Sequence, residues 1–271
     1  MARARGVEIR SFPVRRRLVT GTLRAGRRAP MMHGLIQVDV TDTYRSIRDA
    51  NPPLSFTAFV VACVGRAVAL HPEVHAYRDW RGRLVIARHV DVGTVIETST
   101  KEGPLPMAHL IRDADLRDAA DITAEIRAVH ANLRSSLSGR LLDRYTPVAA
   151  RVPGLIRLFY LILNRSPRMR EICGTVGVNA VGMFGEGGGF GIPSPGFLTL
   201  TVVVGGMSER AAVIDGQVLV RRMLDLTLSL HHDIVDGAPA TRFAADLRRL
   251  LEGAKHQHGG NGEQGNADRP D

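Results

Sequence analysis

Apolar and polar residues follow two periodicities along the middle of the chain, and these predict its secondary structure. Residues 35–40 alternate between apolar and polar side chains, which is typical of a strand with one buried face. Residues 56–70 are almost continuously apolar, and Ser55 stands where it can cap a helix. Asp215 and Gly216 lie between two apolar runs, as in the turn of a β-hairpin. The pattern therefore predicts an α/β domain.

The remaining segments repeat both signals. Thr41 and Asp42 follow the first strand and offer a helix N-cap, and the Asn51-Pro52-Pro53 sequence stops the helix that follows. Apolar residues between Asp115 and Leu133 recur every three or four positions, as they do in an amphipathic helix. We predict further helices over 43–49, 115–133 and 238–251, and strands over 84–87, 90–96, 198–204, 213–220 and 224–230.

The segment 138–170 interrupts this order with three prolines and a mixture of arginines and large apolar residues. Its residues 154–163 predict an apolar helix that either docks on its own domain or lies in a membrane interface. Residues 254–271 contain no large apolar side chain, so we expect this tail to be disordered. We therefore divide the chain into an N-terminal arm over 1–30, a core over 31–253 that includes the 138–170 segment, and the tail.

Length and charge narrow the class of protein. With 271 residues, of which 44% are apolar and 23% charged, the chain can bury the core of one large domain. The net charge is +9, and residues 1–30 alone contribute +8 because nine arginines stand against Glu8. This basic arm is either a solvated segment or an anion-binding element.

Cysteine usage and the longest apolar stretch indicate the compartment. Cys63 and Cys173 are too few for a disulfide framework, which favours a reducing environment. The N-terminus is basic but lacks the apolar run of a secretory signal. The longest apolar stretch, residues 152–163, is shorter than the roughly 20 residues that a membrane helix needs. We therefore expect a cytoplasmic protein without a membrane span.

The most informative local feature is the segment from Leu230 to Pro239, where a predicted strand ends in two histidines and an Asp-Gly pair leads into a helix. Side chains at strand ends project from a rigid scaffold, and a histidine there can act as a general base because its pKa lies near neutrality. Asp236 can fix the loop by pairing with an arginine. On residue type alone, His231 and His232 fit a hydrogen-bonded turn as well as they fit an active site.

Other chemistries find less support in the sequence. The remaining histidines show neither an HExxH motif nor another zinc-like spacing, so we expect no metal. The GxSxG motif of a serine hydrolase is absent from the sequence. The glycine-rich residues 182–196 lack the GxxxxGK[ST] motif of a phosphate-binding loop and better fit a tight loop before a strand.

The histidine segment resembles a known family. His232, Asp236 and Gly237 match the HxxxDG motif of the CoA-dependent acyltransferases. Residues 228–243 resemble the end of the catalytic domain of the dihydrolipoyl acyltransferases of 2-oxoacid dehydrogenases, and the paired histidines are similar to chloramphenicol acetyltransferase. Collinear resemblance is found at residues 38–41, 54–59, 71–76, 90–93, 111–115 and 174–185. It covers about residues 13–252 and leaves the 138–170 segment unmatched.

The resemblance implies a chloramphenicol acetyltransferase-like fold, which is a two-layer α/β sandwich with a mixed β-sheet and helices packed on one face. It implies that His232 is the base that removes a proton from a thiol or hydroxyl acceptor. Asn179 falls where dihydrolipoyl acyltransferases have a hydroxyl residue that donates to the oxyanion. An asparagine NH2 can also donate, so the resemblance makes Asn179 the candidate donor.

The resemblance gives Asp236 an orienting role, in which it pairs with an arginine of the cluster Arg15, Arg16 and Arg17. Gly237 then gives structural support. The family assembles as trimers with the active site between subunits, which implies that His232 of one chain faces Asn179 of its neighbour.

The implied substrate is the thioester of coenzyme A. The implied acceptor is a thiol, hydroxyl or amine, carried by an external acyl acceptor or by a lipoyl-bearing protein. About 30 residues precede the core, so we expect no lipoyl attachment in this chain. The alternative is a catalytically weak or inactive oligomeric scaffold, which Asn179 and the absent lipoyl domain favour. A nucleic-acid binder would rest on the basic arm alone, and we expect no nucleic-acid partner.

Overall fold

The computed structural model of the protein describes residues 29–100, 103–131, 153–181, 187–194, 196 and 198–253, together with a few isolated positions before residue 28. Most of the basic arm, the first half of the 138–170 segment and the tail over 254–271 lie outside the described residues. The described residues build one mixed sheet, a short two-stranded ribbon and a set of helices.

The elements are named in chain order. The strands are β1 (Met31–Asp39), β2 (Tyr77–Arg78), β3 (Leu84–Val85), β4 (Val92–Thr100), β5 (Gly103–Ile111), β6 (Val176–Ala180), β7 (Leu200–Ile214) and β8 (Gln217–His231). The helices are α1 (Thr41–Asp49), α2 (Phe56–Leu70), α3 (Ala119–Ala131), α4 (Pro153–Arg165), α5 (Pro167–Cys173) and α6 (Gly237–Glu252), and a 3₁₀ turn covers Pro72–His75.

The main sheet has the strand order β1-β8-β7-β6-β4-β5. Strand β6 runs parallel to both of its neighbours, β7 and β4, and the other pairs are antiparallel. Strand β1 pairs along its whole length with β8, so the sheet joins the two ends of the core. This arrangement confirms the predicted mixed sheet.

One face of the sheet carries the hydrophobic core. Val176 and Val178 of β6 and Leu226 and Leu228 of β8 are buried there with Val64 of α2. Side chains alternate between the two faces of a strand, so the residues between these positions face the opposite side of the sheet. The helices that fill the core are α2, α3 and α6.

Helix α2 begins and ends as predicted. The side chain of Ser55 accepts a hydrogen bond from the N–H of Ala58 at 3.3 Å, which satisfies one of the free donors at the helix start. A Cβ on Gly65 would lie 2.5 Å from the carbonyl carbon of Ala114. The helix therefore touches the segment between β5 and α3 backbone to backbone, and glycine permits that approach.

The three strands predicted over 198–204, 213–220 and 224–230 are parts of one long hairpin made by β7 and β8. The hairpin turns at Asp215 and Gly216, whose φ values are 51° and 79°, as expected for the predicted Asp-Gly turn. Charged residues interrupt the apolar pattern of the sequence where Glu209 stands opposite Arg222. The two side chains form an ion pair at 3.2 Å near the surface, and the backbone pairing of β7 with β8 continues past them.

Two strands of the sheet are missing from the sequence predictions. Strand β5 contains Pro104 and Pro106, which cannot donate to a ladder, but β5 lies at the edge of the sheet where proline is tolerated. Strand β6 has only five residues, and its Gly177 and Asn179 are poor strand formers.

The predicted cap of the first helix at Thr41 and Asp42 is wrong. Helix α1 begins at Thr41 itself, and its N-cap is Val40, which makes no side-chain capping bond. The hydroxyl of Thr41 instead donates to Asp39 Oδ1 at 2.6 Å, and Asp42 pairs with Arg221 at 2.9 Å. Both residues therefore join α1 to the sheet.

The described half of the 138–170 segment forms α4 and α5, which include the predicted helix over 154–163. Helix α4 packs against α5 and β2, so it docks on its own domain. Its outward side keeps Leu158, Phe159 and Leu161 between 45% and 50% exposed. Within the described part of the chain, no helix combines the length and apolarity that crossing a membrane requires.

Candidate active site

Strand β8 ends at the paired histidines, as predicted. His231 is the last strand residue, and its N–H donates to the carbonyl oxygen of Thr199 at 2.9 Å. His232 begins the turn, and its N–H donates to the carbonyl oxygen of Pro30 at 2.7 Å. The N–H of Val235, whose side chain is buried, donates back to His231 at 3.1 Å. The backbone of His232 is thus fixed from both sides.

The imidazole of His232 and the carboxylate of Asp236 lie beside each other at the surface. His232 Nδ1 is 3.7 Å from Asp236 Oδ1, and the side chains are 52% and 86% exposed. This distance is too long for a hydrogen bond, so the contact is an electrostatic attraction when the imidazole is protonated. Asp236 is the N-cap of α6, which begins at Gly237, but its side chain makes no capping bond. The carboxylate can therefore accept another donor.

His231 occupies a different environment from its neighbour. Its Nδ1 is buried and has no hydrogen-bond partner among the described residues. Burial lowers the pKa of His231 below its usual value, and Arg78 and Arg170 lower it further against the opposing effect of Asp233. His231 is therefore neutral at physiological pH.

Strand β2 and helix α5 brace the histidine turn. Arg78 donates to the carboxylate of Asp233 at 2.9 Å, which ties β2 to the residue after His232. Arg170 of α5 is buried, and its guanidinium lies 4.8 Å from the ring centre of Tyr77. Burial lowers the pKa of Arg170 to about 10, so the group remains charged at neutral pH.

Sequence reasoning missed Arg78, Tyr77 and Arg170 as neighbours of the site. No local pattern marks them, because they belong to two segments that the fold brings to the end of β8. One feature of the sequence points to Arg170. It lies four positions before residues 174–185, which resemble the family and directly follow α5.

Asn179 lies on β6, on the sheet face opposite the core. Its neighbour Val178 is buried in the core, so the alternation of the strand turns Asn179 to the other side, where it is half-buried. Asn179 pairs with Val203 of β7, which in turn pairs with Thr227 of β8. Its position in the sheet relative to the histidines is thereby defined.

A single copy of the chain does not bring Asn179 and the histidines together. His231 stands four residues beyond Thr227 on β8, two strands away from Asn179. At about 3.3 Å per residue and about 4.8 Å per strand, the Cα atoms of Asn179 and His231 are roughly 16 Å apart. Within one copy, Asn179 and the end of β8 therefore lie at separate places on the sheet, without direct contact between their backbones.

Two further expectations concern arginine and metal. Arg15 and Arg16, the predicted partners of Asp236, lie outside the described residues, so that pairing stays a prediction. Where the structure describes the chain, no cluster of three histidine, cysteine or acidic side chains could hold a metal ion. The described site therefore contains the imidazole of His232, the carboxylate of Asp236 and, further away on β6, the amide of Asn179.

Comparison with known families finds a match over most of the chain. The model of the catalytic domain of 2-oxoacid dehydrogenases acyltransferase matches residues 6–139 and 169–258. These stretches include Asn179, His232 and Asp236. The unmatched residues between the two stretches fall within the 138–170 segment.

A curated relative shows the same likeness at low identity. The lipoamide acyltransferase component of the branched-chain alpha-keto acid dehydrogenase complex of Bacillus subtilis is 27% identical over 257 residues. The alignment covers 90% of this chain and 52% of the relative. The chain thus spans about half the length of that protein.

Solved structures share the fold. The cubic core of the pyruvate dehydrogenase multienzyme complex superposes with a TM-score of 0.67 at 20% identity, covering 92% of this chain and 93% of that chain. A chloramphenicol acetyltransferase superposes with a TM-score of 0.50 at 15% identity, covering 90% of this chain and 98% of that chain. These likenesses confirm the predicted chloramphenicol acetyltransferase-like sandwich. Because the family model also spans the strands and the turn that carry the candidate residues, the chain belongs to the 2-oxoacid dehydrogenase acyltransferase catalytic domain family.

Proposed function

We propose that the protein is a CoA-dependent acyltransferase in which His232 is the general base. The observation that carries this proposal is the placement of His232. Its backbone is fixed between the end of β8 and Pro30, while its imidazole is half exposed beside Asp236. A rigid, accessible imidazole is what proton removal from an incoming acceptor requires.

The reaction follows from this placement. Since Nδ1 of His232 faces Asp236, Nε2 is the atom that takes the proton from the acceptor thiol or hydroxyl. The sulfur or oxygen then attacks the thioester carbonyl, and the carbonyl electron pair moves onto oxygen to give a tetrahedral oxyanion. When the intermediate collapses, the bond to the sulfur of coenzyme A breaks and the thiolate recovers the proton from the imidazolium. Asp236 stabilises the imidazolium between these steps.

Asn179 of a neighbouring copy is the proposed oxyanion donor. The separation of roughly 16 Å between the Cα atoms of Asn179 and His231, the residue before the base, supports this assignment, because a second copy can bring a donor close to a base from which it is separated within one copy. The fold is similar to that of the cubic core of the pyruvate dehydrogenase multienzyme complex. We therefore propose a homotrimer, or a larger assembly of trimers, with Arg15 or Arg16 pairing with Asp236.

Thiol release from a panel of acyl-CoAs tests the general base. With thiol, hydroxyl and amine acceptors present, His232→Gln should lower the rate by about 100-fold to 10,000-fold, the range that a general base supplies. His130→Gln is the matched control, because His130 is exposed on α3, away from the site. Unchanged turnover in His232→Gln refutes the assignment.

Complementation tests the shared site. His232→Gln and Asn179→Ala chains should each lose at least about 100-fold in kcat, since loss of a general base or of one oxyanion donor costs at least that much. Random co-assembly of the two chains gives about a quarter of the interfaces both native residues, so activity should return to about that fraction. Without recovery in mixed assemblies, the site does not lie between copies.

A second candidate is an inactive oligomeric scaffold. The observation that favours it is Asn179, an amide at the position where the family resemblance places a hydroxyl residue. A stable oligomer in sedimentation experiments that releases no thiol from any acyl-CoA supports the scaffold against the enzyme.

A further inference from the structure

A second set of polar side chains lies on the same sheet face as Asn179, centred on Asp225 of β8. Asp225 is fully buried, and its carboxylate accepts hydrogen bonds from three separate parts of the chain. Gln37 of β1 donates to Oδ1 at 3.0 Å, Arg210 of β7 donates to Oδ2 at 2.6 Å, and the N–H of Gly189 donates to Oδ2 at 2.7 Å. A single carboxylate therefore joins two strands to a glycine-rich segment.

The energetics show that this arrangement is specific. A buried carboxylate costs several kcal/mol in lost hydration unless it is paired and hydrogen-bonded. The flanking residues Leu224 and Leu226 face the core, where apolar burial stabilises the strand. Arg210 is also fixed in orientation, because its Nε donates to Ser208 at 2.9 Å. The charge of Arg210 and the three hydrogen bonds to the carboxylate therefore compensate for the burial of Asp225.

The segment 187–191 lies directly on the β-bulge of β7. The N–H of Gly206 donates to the carbonyl oxygen of Gly189 at 2.8 Å, so both polar groups of Gly189 are held. A Cβ on Gly205 would overlap the carbonyl oxygen of Gly189, and one on Gly206 would overlap that of Gly187. The segment is thus pressed against β7 by contacts that only glycine permits.

The same segment borders Asn179. A Cβ on Gly191 would lie 3.1 Å from the side chain of Val181 and 3.0 Å from that of Val203. Val181 follows Asn179 by two residues, and Val203 is the residue with which Asn179 pairs on β7. The segment 187–191 therefore lies beside Asn179, on the sheet face that Asn179 occupies.

We propose that Asp225 and Arg210 are positioning residues that fix the segment 187–191 against β7 and so hold the surroundings of Asn179 in the geometry that receives the oxyanion. This inference rests on the proposed function, since it takes Asn179 as the oxyanion donor. A displacement of about 1 Å at a reacting centre can cost about 100-fold in rate. We call the hydrogen bonds that Asp225 accepts from Gly189 and Arg210 the tether. Loss of the tether should lower kcat, because Asn179 is needed most when the oxyanion forms.

Kinetics with a matched control test the proposal. Asp225→Asn and Arg210→Gln should each lower kcat about tenfold or more, with the KM for acyl-CoA changed less than about twofold. Arg221→Gln is the control, because Arg221 lies on the same strand and pairs with Asp39 at 2.6 Å, apart from the segment 187–191. Arg221→Gln should lower the melting temperature but keep kcat. Equal losses of kcat in Asp225→Asn and Arg221→Gln overturn the proposal.

The hydrogen-exchange rate of the Gly189 amide tests the tether independently of catalytic activity. The amide of Gly189 donates to Asp225, so Asp225→Asn should speed its exchange relative to the wild type and to Arg221→Gln. An unchanged exchange rate at Gly189 in Asp225→Asn overturns the proposal even if no acyl-CoA is turned over.

A double variant separates this inference from the proposed function. Because the tether acts through Asn179, Asp225→Asn should lower kcat in the wild type but add little in an Asn179→Ala background. A full additional loss in that background overturns the positioning role. If Asn179→Ala loses activity while Asp225→Asn does not, this inference fails and the proposed function stands. If Asn179→Ala retains the wild-type kcat, the oxyanion assignment fails and the positioning role fails with it.

Discussion

Buried His75 gives the protein a testable dependence of stability on pH. Its Nδ1 lies 2.9 Å from the hydroxyl of Thr175, directly before β6. Burial lowers the pKa of His75 from 6.5 to about 4, against weaker opposing effects of Asp115, Asp91 and Glu73. The native protein therefore binds a proton at His75 much less readily than the unfolded chain does.

The sign and size of the effect follow from this difference. Because the native pKa lies below the unfolded value, acidification favours the unfolded state, which binds more protons. The contribution of neutral His75 to stability is complete above the unfolded value of 6.5 and is lost as the pH falls towards 4. A tenfold difference in proton affinity is worth about 1.4 kcal/mol, so the loss reaches about 3 kcal/mol.

Urea unfolding of the wild type and of His75→Gln between about pH 7 and pH 4 measures this effect. Glutamine can still hydrogen-bond the hydroxyl of Thr175 but does not take up a proton. We expect the free energy of unfolding of the wild type to fall by about 3 kcal/mol more than that of His75→Gln over this range. The control His130→Gln should follow the wild type, because His130 is exposed.

Parallel stability curves for the wild type and His75→Gln would refute the reasoning, since unfolding would then take up no proton at His75. Titration of His75 in the folded protein, followed by NMR, gives a second check. A native midpoint near 6.5, the ordinary value, contradicts the effect of burial.

Three further predictions concern the long helix. Ser55→Ala removes the acceptor for the N–H of Ala58 and should lower the free energy of unfolding by about 1 kcal/mol in urea titrations. Gly65→Ala places a Cβ 2.5 Å from the backbone of Ala114, and overpacking of this kind should cost about 1–3 kcal/mol, seen as a lower melting temperature. Burial raises the pKa of Cys63 to about 12, so iodoacetamide should alkylate Cys63 far more slowly in the native protein than in urea, as mass spectrometry will show.

Matched substitutions at exposed or open positions show whether the expected losses of stability are specific to Ser55 and Gly65. Ser46→Ala alters an exposed hydroxyl in α1 and should change stability by less than about 0.5 kcal/mol. Gly34→Ala adds a Cβ whose nearest neighbour is 4.0 Å away, so its melting temperature should stay close to that of the wild type. Equal losses in the paired variants would contradict the local explanations, as would equal alkylation of Cys63 in native and unfolded protein.

Features that depend on neighbouring residues could be predicted from the sequence. Helix α2 was predictable because its cap, apolar run and terminating proline follow one another along the chain. The histidine turn was predictable for the same reason, since strand, His232, Asp236 and helix occupy one continuous segment. The family resemblance added a role for each residue that this local pattern did not supply.

Features that depend on register and packing could not be predicted. The tether at Asp225 joins Gln37 and Gly189, which are far apart in the sequence, and no spacing rule links them. Strand β5 was missed because tolerance of its prolines depends on its position at the sheet edge. The distance between Asn179 and His231 likewise follows from pairing through β7, which sequence periodicity does not encode.

The hydrogen bond from His232 to Pro30 has a consequence for biosynthesis. Strand β1 leaves the ribosome well before its partners on β8, as in the pairing of Met31 with His231, 200 positions further on. Contacts across so long a loop form slowly and late. The proposed base therefore reaches its place beside Pro30 only once nearly the whole core has been synthesised.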